Sequence, residues 1–177
     1  IGNLTTPHAI AEYMKNSGSP FSNETVDSYL KMLENAYFIY RMPRYELKRK
    51  QLLKTQGKYY FIDNGLKNII DGISSYDSGS SYENLIYIEL LRRGYEVYVG
   101  QYNDIEIDFI AIKPNEKVYI QVSRSIMDEK VEEREKRSLL AIHDNYKKII
   151  LTMDRVKNKQ IEGIEVINII DFLLQDE

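Results

Sequence analysis

Residues 106–123 read EIDFIAIKPNEKVYIQVS. Ile107, Phe109, Ile110 and Ile112 leave both sides of the first segment apolar, the pattern of a strand buried on both faces. KPNE (113–116) carries turn-forming residues, and VYIQVS (118–123) resumes the aromatic and β-branched pattern, so two strands joined by a tight turn are predicted. Asp108 does not fit its surroundings. Aspartate is a poor strand residue, and a carboxylate among apolar neighbours is costly unless it is hydrogen-bonded or meets a cation. On the second strand, alternation puts Gln121 and Ser123 on one face and Ile120 and Val122 on the other.

Upstream, YENLIYIELLRRG (82–94) predicts a helix stopped by Gly94. Ile86, Tyr87 and Leu90 lie three, four and seven residues after Glu83, so this second carboxylate shares the inward face. A buried glutamate satisfied by an amide or an arginine accounts for it as well as a cation site does. EVYVG (96–100) is a further strand. Downstream, DEKVEEREKRSLLAIHD (128–144) is a charged helix, KKIILT (147–152) and IEVINI (164–169) are strands, and IIDFLL (169–174) is a short closing helix. The succession predicts an α/β layered fold around a central mixed sheet. No internal repeat is present.

The first part of the chain has a different plan. TTPHAIAEYMKNSG (5–18) offers Thr6 and Pro7 as a helix start. Ser22 caps a second helix over about 23–35, with Val26, Tyr29, Leu30 and Leu33 on one face. YFIYRMPRYE (37–46) and KYYFID (58–63) flank the basic stretch ELKRKQLLKTQG (46–57), which predicts a hairpin with a basic arm. Helix, turn, helix and hairpin form a winged helix-turn-helix. A further helix usually precedes these two, and the chain starts at Ile1, so a truncated N-terminus is expected. SSYDSGSS (74–81) is the best boundary and divides the chain into a winged-helix domain over 1–73 and an α/β domain over 74–177.

The charge distribution agrees with two units. The net charge is −3, with 24 Lys and Arg against 27 Asp and Glu, yet the N-terminal part is positive and the C-terminal part strongly negative. No apolar run is long enough to span a membrane. No secretory leader pattern is present. The absence of cysteine excludes disulfides and thiolate metal sites and fits a cytoplasmic location. His8 and His143 stand alone in their segments and are read as surface or capping residues rather than ligands.

LLRRGYEVYVG (90–100), EIDFIA (106–111), YIQVS (119–123) and HDNYKKIILT (143–152) resemble the C-terminal domain of unknown function of a large family of prokaryotic AAA-type ATPases. IGNLTTPHAIAEYM (1–14), ETVDSYLKMLENAYFIYRMPRYELK (24–48) and KYYFIDNGL (58–66) resemble it too, so the likeness covers nearly the whole chain. It implies that the second half has a PD-(D/E)xK, restriction-endonuclease-like fold. The matching site positions are Glu83, Asp108 and Gln121, with Ser123 where a lysine would stand. Glu83 and Asp108 would hold Mg²⁺ or Mn²⁺ if the site works. The lysine of such sites orients the attacking water and stabilises developing charge; glutamine offers a neutral carbonyl, and serine no charge. Arg124 lies on the other strand face, and Lys130 or Arg134 reaches the site only by favourable folding. A degenerate, non-catalytic site is therefore expected, with a metal-dependent DNA nuclease of variant site as the alternative.

The resemblance also implies an N-terminal ATPase module in the parent protein. No G-x-x-x-x-G-K-[ST] occurs here, so ATP is expected there and no cofactor in this segment. The outward face of the second helix carries Glu24, Asp27 and Glu34 against Lys31, a poor surface for DNA. Arg44, Lys48, Arg49, Lys50 and Lys54 of the basic arm are the candidate phosphate contacts. The expected partners are DNA, the protein's own ATPase module, another protein or further copies of the chain.

Overall fold

The computed structural model describes residues 2–71, 78–156 and 159–175, the side chains of 54–56, 71 and 78 excepted. Its order follows from local signals. Helix α1 (Pro7–Asn16) begins where the Thr6 hydroxyl accepts the Ala9 N–H at 3.0 Å. Helix α2 (Asn23–Asn35) begins where Ser22 accepts the Thr25 N–H at 3.2 Å; each bond satisfies one of the otherwise orphaned amides of a first turn. Val26 is buried, but Tyr29 and Leu33, predicted on the same inward face, remain 54% and 39% exposed. α2 packs mainly on α1 and on β1 (Ile39–Glu46), which cover part of its apolar stripe.

β1 turns through 47–50 into β2 (Gln51–Phe61). The carboxylate of Glu46 accepts the N–H groups of Lys48 and Arg49, both at 3.1 Å, and holds the turn. The register slips after Pro43, which pairs with Gly57 while Arg44 pairs with Leu53. The side chain of Lys54, in the slipped segment, lies outside the described residues. Helix α3 (Asn64–Asp71) is capped by Asp63, whose carboxylate accepts the Gly65 and Leu66 N–H groups. Helix α4 (Ser78–Arg92) starts earlier than predicted, so 78–81 of the expected boundary form its first turn; residues 74–77 lie outside the described residues. It stops at Gly94, whose φ of 80° is cheap for glycine, with the Tyr95 N–H bonded to the Leu90 carbonyl.

The remaining elements are β3 (Glu96–Tyr102), β4 (Ile105–Lys113), β5 (Glu116–Ser123), α5 (Glu129–Leu140), β6 (Lys147–Thr152), β7 (Lys159–Ile161), β8 (Ile164–Asn168) and α6 (Ile169–Leu174). The three-residue β7 has no counterpart in the sequence reading. The described strands form one mixed sheet in the order β2-β1-β3-β4-β5-β6-β8-β7. β1 runs parallel to β3, so the hairpin extends the central sheet.

Two apolar layers lie on the sheet. Ile86, Tyr87 and Leu90 of α4 and Phe172 of α6 pack with Val99, Phe109, Ala111, Ile120 and Leu151. Leu139 of α5 packs with Ile107, Ile110, Tyr119, Ile150 and Val166. Ile107 and Phe109 are two apart yet belong to different layers, which regular alternation forbids. The cause is a β-bulge. Tyr98 pairs with Ile110 but Gly100 pairs with Ile107, so Asp108 and Phe109 together oppose Val99. The apolar run around Asp108 thus reflects a switch of face at the bulge as well as burial. Gly100 permits it: a Cβ there would stand 2.9 Å from the Ile107 Cβ.

Candidate functional site

The bulge places Asp108 where β4 and β5 part. Their ladder runs from Lys113↔Glu116 to Phe109↔Ile120 and stops. Beyond it, side chains replace backbone bonds. The Asp108 N–H donates to the Gln121 side-chain carbonyl at 2.6 Å, and the Val122 N–H donates to Asp108 Oδ2 at 2.9 Å. The Gln121 amide donates to Ser138 Oγ at 2.8 Å and to Glu135 Oε2 at 3.2 Å. Glu135 is buried on α5, and its other oxygen takes the exposed Arg134 guanidinium.

Asp108 Oδ1 faces a lysine that belongs to the hairpin. The Lys58 ammonium lies 2.8 Å from Glu106, 3.3 Å from Glu83 and 3.9 Å from Asp108. Its side chain is only 3% exposed. The Tyr60 hydroxyl, two residues on along β2, donates to the same Glu83 oxygen at 3.0 Å. Three carboxylates from α4 and β4 thus surround one ammonium from β2.

Glu83, Glu106, Asp108, Gln121, Glu135, Arg134 and Arg137 line an open cleft of about 390 Å³. Lys58 is not among its lining residues, so the ammonium meets the carboxylates without filling the cleft. Burial pushes Asp108 up, with the Glu83 charge adding to it and Lys58 opposing, to about 8. Burial alone would lower Lys58, but Glu83, Asp108 and Glu106 outweigh it and hold its pKa above the usual lysine range. Burial, then the same carboxylates, push Tyr60 far up, so it acts as a hydroxyl donor. Among the described residues no three acidic or histidine side chains form a ready-made metal cluster. Mg²⁺ does not require one, since it is commonly held by one or two carboxylates with waters and substrate phosphate.

Glu83 and Asp108 are thus brought together, with Gln121 beside them. Ser123 is buried and donates to the Ser125 carbonyl. Arg134 reaches the cleft through Glu135, and Lys130 does not line it. Lys48, Arg49 and Lys50 are exposed at the hairpin tip, Lys48 over the Tyr102 ring at 5.3 Å, while Arg44 is half-buried within β1. His8 lies exposed beside Glu12 and Asn23.

Lys58, Glu106 and Glu135 were missed by sequence reasoning. Two of them carried a signal. Alternation in KYYF places Lys58 on the face of Tyr60, which is fully buried. A helix wheel places Glu135 on the face of Ser138, Leu139 and Ile142, but its neighbours EEREKR made that helix look solvated throughout. Glu106, at the open end of β4, had none.

A family model described as a domain of unknown function (DUF8612) matches residues 1–77. That segment contains Lys58 but none of the three carboxylates around it. An uncharacterized protein of Haemophilus influenzae is 42% identical over 175 residues, which is 99% of this chain and 43% of that protein. An uncharacterized protein of Methanocaldococcus jannaschii is 29% identical over 170 residues, 92% of this chain and 36% of that protein. The chain therefore spans less than half the length of either relative, and in both the likeness runs through the two halves that build the cleft. No solved structure matches the chain. No helix among the described residues is long and apolar enough to cross a membrane.

Proposed function

We propose that the cleft is a metal-dependent phosphodiester-cleaving centre of variant PD-(D/E)xK type, acting on DNA. α1, α2 and the hairpin would be its winged helix-turn-helix, and α4 through β8 its restriction-endonuclease-like part. The observation that carries this reading is Lys58. A degenerate site was expected because no cation accompanied the acids; a buried lysine contributed by the hairpin meets that requirement from a different strand.

The donor set fits a hard divalent ion. Asp108 and Glu83 offer carboxylate oxygen at an open cleft, and three carboxylates against one ammonium leave two negative charges when Asp108 is ionised. A bound Mg²⁺ or Mn²⁺ would polarise the phosphate and lower the pKa of a water. The chain's own groups do the rest. Lys58 holds positive charge beside the place where the phosphorane charge develops. Arg134 and Arg137 line the cleft and suit phosphate contact, and Lys48, Arg49 and Lys50 extend a cationic surface along the hairpin. Incubation with plasmid and short duplexes in Mg²⁺ or Mn²⁺, beside Asp108→Ala and Lys58→Met, tests this. Cleavage lost in both variants is expected; no metal-dependent cleavage by the wild type removes the reading.

A second reading is favoured by the same contacts seen differently. The ammonium already pairs with Glu83 and Glu106, and Gln121 is engaged by three partners, so these groups have partners without an ion. The chain would then be a non-catalytic module that presents nucleic acid or a protein partner to an AAA-type ATPase elsewhere in the parent protein. The greater length of the relatives leaves room for an ATPase beside this module, and the resemblance of the quoted motifs favours one. This reading predicts duplex binding without cleavage, and ATPase activity in the full-length protein that responds to DNA.

A further inference from the structure

The position where the resemblance expects an acid, 121, carries glutamine, and the residue that glutamine holds is a buried glutamate. Gln121 accepts from the Asp108 N–H and donates to Glu135 and Ser138. A glutamate at 121 could take the first bond but would set a second carboxylate against Glu135 where an amide now donates, and like charges so placed disfavour each other. Glu135 has the attributes of a placed group. It is 5% exposed, lines the same cleft as Asp108, and holds the exposed Arg134 over its outer oxygen. An acid on the buried face of α5, beside Ser138 and Leu139, needs a reason.

We infer that the two positions have exchanged roles: Glu135 of α5 supplies to the cleft the carboxylate that position 121 of β5 lacks, and Gln121 is the positioning residue that aims it. This rests on the cleavage reading above and assigns that centre a third carboxylate. Gln121 stays in register with Ile150 of β6 and reaches α5 from the face it shares with Tyr119, and its carbonyl takes the Asp108 N–H beyond the end of the β4–β5 ladder.

The exchange can be run backwards. In the double variant Gln121→Glu with Glu135→Gln, the carboxylate now on β5 would accept from the Asp108 N–H, from the amide now on α5 and, once the Ser138 hydroxyl turns from the backbone carbonyl of residue 135, from Ser138. The carbonyl of that amide would still accept from Arg134. The experiment compares the wild type, E135Q, Q121E and the double variant by metal-dependent cleavage across pH 6–9 and by melting temperature. Each single change is expected to lower cleavage by about tenfold or more, and the double variant to recover most of that loss. Recovery of cleavage in the swap beyond any recovery in melting temperature is a result that a packing role for either residue does not give. If the wild type cuts and E135Q cuts equally well with the same pH profile, the exchange is refuted while the cleavage reading stands. If the wild type does not cut at all, the cleavage reading fails and the exchange fails with it.

Discussion

Lys58 on β2 touches Glu106 on β4, Nζ to Oε1 at 2.8 Å, although β1 and β3 lie between their strands in the sheet. The contact ties the hairpin to the cleft. Removing the ammonium leaves Glu83, Glu106 and Asp108 facing one another. Lys58→Met should cost about 3–5 kcal/mol of stability, the range for stranding a buried charge, while Lys58→Arg should lose less. Urea unfolding of the three proteins measures both. A near-neutral Lys58→Met would mean that water or a counter-ion already compensates the cluster.

Asp108 sets a pH dependence of stability. Its pKa in the folded chain, about 8, stands above the ordinary value of 3.8. A raised pKa means that the folded state holds the proton more tightly. The contribution of Asp108 is therefore complete below about pH 4 and lost as pH climbs through 8. Asp108→Asn cannot ionise, so it should gain on the wild type from pH 5 up to about pH 8 and level off above it, by then several degrees in melting temperature. A constant difference across that range would show that Asp108 is ionised throughout.

The same group links metal binding to protons. A cation at Asp108 must displace its proton, so Mg²⁺ or Mn²⁺ should bind more tightly from pH 6 to pH 8 and level off above, with proton release below pH 8. Calorimetry in two buffers of different ionisation heat reads the release directly. Binding that is independent of pH would place the ion elsewhere.

The hairpin tip should act through phosphates. Alanine at Lys48, Arg49 and Lys50 together should weaken duplex binding equally for unrelated sequences and reduce the slope of log affinity against log salt by about 2–3. Fluorescence anisotropy across a salt series measures it. An unchanged slope would move the DNA contact to Arg134 and Arg137.

Gly100 guards the bulge. Its absent Cβ would approach Ile107 Cβ to 2.9 Å and Ile110 to 3.0 Å, with buried strand on both sides and little room to move. Gly100→Ala should destabilise by about 1–3 kcal/mol, the usual scale of overpacking, and should impair the cleft through Asp108 more than Gly94→Ala, whose Cβ meets open space. Equal effects on activity would show that the bulge does not set the geometry of Asp108.

What the sequence determined by itself was local and periodic. Thr6, Ser22 and Gly94 marked helix ends because capping needs only a few neighbouring residues. The apolar stripe of α4 and the twin runs of 106–123 fixed an α/β architecture, and they singled out Glu83 and Asp108 as acids in apolar surroundings. Periodicity tells which side chains turn inward, not which inward side chains meet. Lys58 was readable as an inward residue of β2, but its place beside Glu83, Glu106 and Asp108 follows from β1 lying parallel to β3, a pairing of distant segments that neither strand announces. The bulge at Asp108 and the bond between Gln121 and Glu135 are equally tertiary, because each is the outcome of packing two layers on one sheet. The acids were written in the chain; the charge that answers them was decided by how the hairpin docks.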